Sequence, residues 1–341
     1  IADHHPNQKI KFALYASSPD WQRLEKDGFD LLAYGSKRWE QETKSCSVII
    51  SSQFDVLTFN PFQNGYFSGT KKIVTLQHGV TKDNISKLVN HIPFDMFVTS
   101  MPRETDSIVK DGSPYSMLKK DVIQAGLPRH DQLVKQTAKT IILIAPTWRR
   151  SLFSGSTYSF EVDSATRKVF SNSNFASSWK ELLFSEKLRD IAQEHHFSLV
   201  LKPHPNLDKF AKAGCFNIPP YITIDRESSY MDLCAKTALL ITDYSSLAFD
   251  VAYANGLVAY YQFDEEEFFA QQTYVKGYFE YKRDGFGPVA SDASSMVASI
   301  QRLLNDSSFR NQYRERIRLA FPVRDGNNCK RAYEAIAALF N

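Results

Sequence analysis

Short apolar, β-branched runs alternate with segments of helical spacing from one end of this chain to the other, and that alternation leaves few architectures open. Lys9–Ala16, Ser47–Ser51, Lys72–Gln77, Met96–Thr99 and Val122–Ala125 read as strands of a first half. Thr140–Ala145, Ser198–Lys202, Tyr221–Ile224, Leu239–Thr242 and Leu257–Tyr261 read as strands of a second. Between them, Ser177–Glu194, Ser228–Lys236, Ser246–Asn255 and Ser291–Leu304 carry apolar residues at helical spacing. Strands that take turns with helices build parallel sheets covered on both faces. The 341 residues suffice for two such units, so the expected fold is α/β, two Rossmann-like domains facing each other across a cleft.

The boundary falls in the polar stretch Gln132–Lys139. It divides the chain into a domain over 1–137, a second over 138–326 and a terminal amphipathic helix over 327–341. Arg150–Asn174, rich in Ser, Phe and Asn and without periodicity, reads as a mobile loop or flap at the cleft. A hydrophobic share of 43% and a charged share of 23% describe an ordinary globular protein. The formal net charge of +3 gives no nucleic-acid footprint. The four scattered cysteines lack metal-ligand spacing and point to reduced thiols of a cytosolic protein. No apolar run is long enough to cross a bilayer and no signal peptide is visible. The chain does not begin with Met, which suggests a segment of a larger protein.

Three polar motifs follow strand-like runs, and open α/β sheets bind ligands at such strand ends. In Leu240–Asp250, Ser245 and Ser246 open an apparent helix, a place where backbone donors meet phosphate. A plain Ser N-cap has the same appearance. Gln77-His78-Gly79 offers an imidazole titrating near neutrality, suited to a general base, beside a glycine that admits a substrate closely. A hydrogen-bonded structural histidine is the alternative. In Lys202-Pro203-His204-Pro205 two prolines pin His204 next to a cation, as an anion-handling element or a rigid surface turn. Arg149 and Arg150, after Thr140–Trp148, would supply further charge, with a solvent-facing side chain as the alternative for one of the pair. Asp243 and Asp250 flank the serine pair, either as caps complementing the helix dipole or as partners of a ribose, a His or an Arg. The remaining histidines, His130 included, read as structural.

Taken in order, Gln77-His78-Gly79, Gly126-Leu-Pro-Arg129, Ala145-Pro-Thr-Trp-Arg149, Lys202-Pro-His-Pro205, Thr242-Asp-Tyr-Ser-Ser246 and Asp325-Gly-Asn327 resemble the CDP-glycerol glycerophosphotransferase family, the teichoic-acid polymerases and related domains of bacterial capsule polymerases. The resemblance runs from about Lys72 to the C-terminus. Val80-Thr81-Lys82 stands where members often carry Thr-Pro-Leu. It implies a GT-B fold, with the first domain on the acceptor side and the second binding CDP. It also implies transfer of glycerol phosphate or ribitol phosphate from a CDP-activated donor to a hydroxyl of a growing polymer, with CMP leaving. His78 would then be the base and His204 the second catalytic histidine. Lys202, Arg149, Ser245, Ser246, Asp243, Asp250, Asp325 and Asn327 would lie at the donor's phosphates and nucleotide, and Gln77, Gly79 and Arg129 on the acceptor side.

No resident cofactor or metal is implied, with room for a Mg²⁺ effect on the polymer. The implied partners are the donor and a polysaccharide or lipid-linked polymer acceptor, with no nucleic acid. Contact with the cytoplasmic face of a bacterial membrane would come through the parent protein. Rival readings are a GT-B glycosyltransferase or an epimerase using a nucleotide sugar, or a silent polysaccharide-binding module.

Overall fold

The computed structural model describes residues 1, 4–53, 71–135, 137–153, 162–271 and 275–340. Twelve strands lie among them. Phe12–Leu14 (β1) and Leu31–Ala33 (β2) form a parallel pair. Val48–Ser51 (β3), Lys72–Thr75 (β4), Met96–Val98 (β5) and Val122–Ile123 (β6) form a parallel four-stranded sheet in that order. The third sheet contains Ile141–Ala145 (β7), Ser198–Leu201 (β8), Ile222–Ile224 (β9), Thr237–Thr242 (β10), Leu257–Tyr261 (β11) and Val289–Ala290 (β12). It is parallel throughout, in the order β12-β11-β10-β7-β8-β9. Numbered from β7, this is the Rossmann order 3-2-1-4-5-6, whose crevice opens where the winding reverses, between β7 and β10.

Alternate residues of a strand face opposite layers, and the two cores of this sheet show it. Ile142, Ile144, Leu199, Leu201, Leu239 and Ile241 pack with Trp179, Leu182, Leu188, Ile300 and Leu303. Leu143, Ala145, Val200, Leu240 and Val258 pack on the other face with Phe249, Val251, Phe286 and Ile317. Helices over Asn174–Leu183 and Glu186–Glu194 stand where one continuous helix was expected. The break is local: Ser185 Oγ accepts the Leu188 N–H at 3.3 Å and starts a new helix. The expected flap is also corrected. Arg150–Leu152 is a 3-10 turn and Ser164–Ser171 is a helix capped by Asp163, with Phe170 stacked on Phe210 in the core; residues 154–161 lie outside the described ones.

One face of the four-stranded sheet packs with Val89 and Ile108. The other, through Val74, Met96 and Val98, is covered by Ala332 and Ile336 of the terminal helix Asn328–Ala338. The chain thus returns at its end to the first sheet. It docks at Gly126, whose φ of 79° lies in the left-handed region and where a Cβ would sit 2.4 Å from Asn328 Oδ1. Asn328 Nδ2 donates there to Leu127 O and to Tyr253 Oη, both at 3.2 Å. Gly126→Ala should cost about 1–2 kcal/mol from backbone strain alone, with the displaced Asn328 adding to it. The shift in urea midpoint measures the loss.

Candidate active site

The ends of β3, β4, β7, β8 and β10 carry the site. His78 follows β4 after Gln77, a left-handed non-glycine residue at φ 57°. Its Nδ1 lies 3.3 Å from the carbonyl of Ser52 at the end of β3. A carbonyl only accepts, so Nδ1 carries the proton and the ring's lone pair sits on Nε2. Desolvation by the surrounding protein lowers the pKa of the exposed His78 below its ordinary value. The Ser52 carbonyl opposes this and the Arg129 charge reinforces it. At neutral pH the ring is an uncharged base.

Gly79 faces the second half directly, since a Cβ on it would lie 2.8 Å from Ser246 Oγ. Ser245 Oγ accepts the Leu247 N–H at 3.2 Å, while Ser246 begins the Leu247–Tyr253 helix without a side-chain cap. Of the two serines, the one that meets the first half is therefore the one whose hydroxyl the helix does not use. Asp250, on the same helix, accepts from Arg129 Nε at 3.0 Å, from Arg129 Nη2 at 2.8 Å and from His130 Nε2 at 2.8 Å. This carboxylate orients an Arg and a His across the two halves. His130 is fully buried and stacked on Tyr253 at 4.3 Å.

Several residues expected at the donor have other employment. The Arg149 side chain is only 4% exposed. Its Nε and Nη2 bond the Asp264 carboxylate at 2.9 and 3.1 Å, Nη2 bonds Asp243 Oδ2 at 2.8 Å, and Nη1 bonds the Thr147 carbonyl at 2.6 Å. Its ring neighbours are Phe268 and Tyr244, at 4.6 and 5.0 Å. Burial opposes its charge, and Asp243 and Asp264 overcome that and raise the pKa further. A guanidinium already shared by two carboxylates has no charge left for a phosphate, so Arg149 braces the floor of the crevice. Asp243 belongs to the same floor, its Oδ1 accepting Thr147 N at 2.9 Å and Tyr244 N at 2.7 Å, which ties the ends of β7 and β10 together.

Lys202 is likewise engaged, donating to Ser228 O at 2.7 Å and lying 3.5 Å from Asp225. His204 caps the Pro205–Lys212 helix, its Nδ1 accepting Asn206 N at 3.2 Å, and stacks on Trp148 at 5.7 Å. Burial lowers its pKa, so it stands as a neutral ring with its proton on Nε2 rather than as a cation. Gln77 is buried inside the turn, bonded to Val98 O, Glu104 and Thr81, and does not line an acceptor surface. Asp325 and Asn327 bond each other and Arg331. Arg324, just before them, bonds Tyr253 O at the far end of the serine helix. They serve the docking of the terminal helix and make no bond to the serine pair.

Across the two halves Gly79 thus meets Ser246 and Arg129 bonds Asp250, with His78 next to Gly79 in the chain and within electrostatic reach of Arg129. A second chain of contacts runs from Asp243 through Thr147 and Trp148 to His204. Sequence reasoning did not single out Ser52, Trp148, Asp264 as the partner of Arg149, or Glu104. For Glu104 a signal existed: a Glu at the third position of a helix opened by Pro102 commonly reaches back to the N-cap amide. Among the described residues no group of three or more His, Cys, Asp or Glu is placed to hold a metal ion, and no helix is long and apolar enough to cross a membrane.

Comparison with known proteins gives the family and the fold. The minor teichoic acid biosynthesis protein GgaB of Bacillus subtilis (strain 168) is 32% identical over 98% of this chain and 37% of its own length. The teichoic acid poly(ribitol-phosphate) polymerase of Bacillus spizizenii is 23% identical over 53% of this chain and 28% of its own. The match therefore spans little more than a third of the first of these curated relatives and less than a third of the second. The solved structure of the wall teichoic acid polymerase TagF superposes with a TM-score of 0.64 over 99% of this chain and 84% of that one, at 16% identity, which makes the fold GT-B. The family model for CDP-glycerol:poly(glycerophosphate) glycerophosphotransferases matches residues 1–338, so the likeness reaches well before Lys72. With its motifs in order at the strand ends of a GT-B fold and its length matched almost from end to end, the chain belongs to that glycerophosphotransferase family.

Proposed function

We propose that this chain transfers glycerol phosphate, or ribitol phosphate, from a CDP-activated donor to a hydroxyl of a growing teichoic-acid-like or capsule polymer. The observation that carries the reading is His78: Ser52 holds the proton on Nδ1, which makes Nε2 the basic nitrogen, and Gly79 beside it meets Ser246 across the cleft. The acceptor O–H gives its proton to His78 Nε2 as its oxygen bonds the donor phosphorus that carries the polyol. The bond from that phosphorus to the bridging oxygen breaks, and CMP leaves with the electron pair. CMP is a phosphate monoester with a second pKa of roughly 6, so little proton donation is needed. Positioning and charge stabilisation then dominate.

Arg129 is the cation best placed for that charge, since Asp250 takes its Nε and Nη2 and leaves Nη1. The Ser246 hydroxyl and the Nε2–H of His204 add neutral donors. In this reading residues 1–137 hold the acceptor, 138–326 hold CDP, and 327–341 tie the second back to the first. The acceptor is lipid-linked, at the cytoplasmic face of a bacterial membrane. Donor binding needs no metal, so EDTA should leave CDP-glycerol affinity within about twofold, a difference of under half a kcal/mol.

The deciding assay supplies CDP-glycerol, CDP-ribitol and UDP-sugars separately, each with an oligomeric acceptor. Release of CMP with phosphopolyol joined to the acceptor is the expected result. UDP release, or an epimerised free sugar, would assign the chain to a different reaction.

A further inference from the structure

The base does not hold itself. His78 stands on a turn that leaves β4 through the left-handed Gln77 and re-enters the protein at Thr81. A single oxygen, Glu104 Oε1, accepts from both sides of that turn: the Gln77 Nε2 amide at 3.1 Å and the Thr81 backbone N–H at 2.7 Å. Thr81 Oγ1 also bonds Gln77 Oε1, and Gln77 Nε2 bonds Val98 O, so the two flanks are tied to each other and to β5. The other oxygen, Oε2, accepts Ser100 N at 2.7 Å and Met101 N at 3.3 Å. Glu104 itself is fully buried in the helix Pro102–Val109. A rigid element therefore grips the turn through one carboxylate with four donors. Burial pushes this carboxyl up to about 7, while the donors from Ser100, Thr81, Gln77 and Met101 pull it toward the charged form that accepts them.

We propose that Glu104 is a positioning residue for the transfer step, closing the Gln77–Thr81 turn so that the His78 ring meets the Ser52 carbonyl and presents Nε2 to the acceptor. This rests on His78 being the base. Glu104 touches no reacting atom and works only through the turn. Glu104→Gln keeps the volume but sets an NH2 group against two of the four donors, so whichever way the amide turns, either the turn's closure or the anchorage that holds Glu104 against it is lost, while the crevice of the second half is untouched.

The test is a cycle of Glu104→Gln, His78→Ala and the double variant in the intact protein, at about pH 8, one unit above the Glu104 value. Single-turnover rate, CDP-glycerol affinity and melting temperature are read together. Glu104→Gln should slow transfer about tenfold, with donor affinity unchanged. The double variant should be no slower than His78→Ala, because a residue acting through His78 has nothing further to lose. If Glu104→Gln does not fold, Thr81→Val removes only the hydroxyl tie and should slow transfer several-fold in the same non-additive way.

A wild-type rate in the turn variants, or losses that multiply with that of His78→Ala, would overturn the positioning role while leaving the base intact. A His78→Ala enzyme with near wild-type turnover would remove the base and the role of Glu104 together, and that result is visible in the single variant alone.

Discussion

His78→Ala should lower the single-turnover rate of transfer at least about 10²-fold, the usual scale of lost general-base catalysis, with CDP-glycerol affinity barely changed. The division follows from the geometry. The Nδ1–H of His78 is held by Ser52, its charge is disfavoured by desolvation and by Arg129, and in the proposed mechanism the ring receives a proton from the acceptor. Nothing in donor binding calls on it, so the loss should fall in the rate and not in the dissociation constant. His204→Ala should divide its loss differently. Its ring stacks on Trp148 just beyond the end of β8, and in the proposed mechanism the donor's diphosphate is the group it would meet, so affinity and rate should both decline. Equilibrium binding and rapid-quench turnover on the two variants separate the roles. Near wild-type transfer by His78→Ala would leave that histidine a structural one.

The second large effect is on stability. Arg149→Met should destabilise the protein by about 3–5 kcal/mol, because it strands two buried carboxylates that the guanidinium now serves. Asp243 and Asp264 are 0% and 4% exposed, and each bonds Arg149 within 3.0 Å. Methionine fills the volume but offers no donors. Arg149→Lys should fail as well, since one ammonium cannot reproduce a fork that bonds two carboxylates and the Thr147 carbonyl at once. Thermal and urea unfolding measure the loss. Had Arg149 bound the donor's phosphates instead, the same variant would keep its melting temperature and lose only affinity, so the two measurements distinguish brace from ligand.

The architecture was legible because burial on both faces writes itself into a strand. Ile141-Ile-Leu-Ile-Ala145 is apolar throughout, and it is the strand at which the winding of the six-stranded sheet reverses. Strands β2 and β12 escaped notice because three and two residues are too few to show a period. The break at Ser185 was missed although its cap is a recognisable signal, since the apolar spacing runs on through it. At the site, polar residues after apolar runs marked the strand ends correctly. Gly79 meets Ser246 and Arg129 meets Asp250 there, with His78 beside Gly79. What those residues bond was not legible.

The amino-acid sequence by itself determined the alternation of strands and helices, the polar strand ends and the family, since each rests on residues near in the chain or on motifs kept in order. Tertiary structure alone decided which charges are available. Arg149 is neutralised by Asp264, 115 residues away, Lys202 is drawn to Asp225 and Ser228, and His204 caps its own helix. Local patterning encodes burial and turns. A charged side chain's partner is instead the outcome of a competition among all groups that folding brings within about 4 Å, where Coulomb energies in a low-dielectric interior are largest. That competition engaged Arg149 with Asp243 and Asp264, engaged Lys202 with Asp225 and Ser228, and set Glu104 beneath the turn that carries His78.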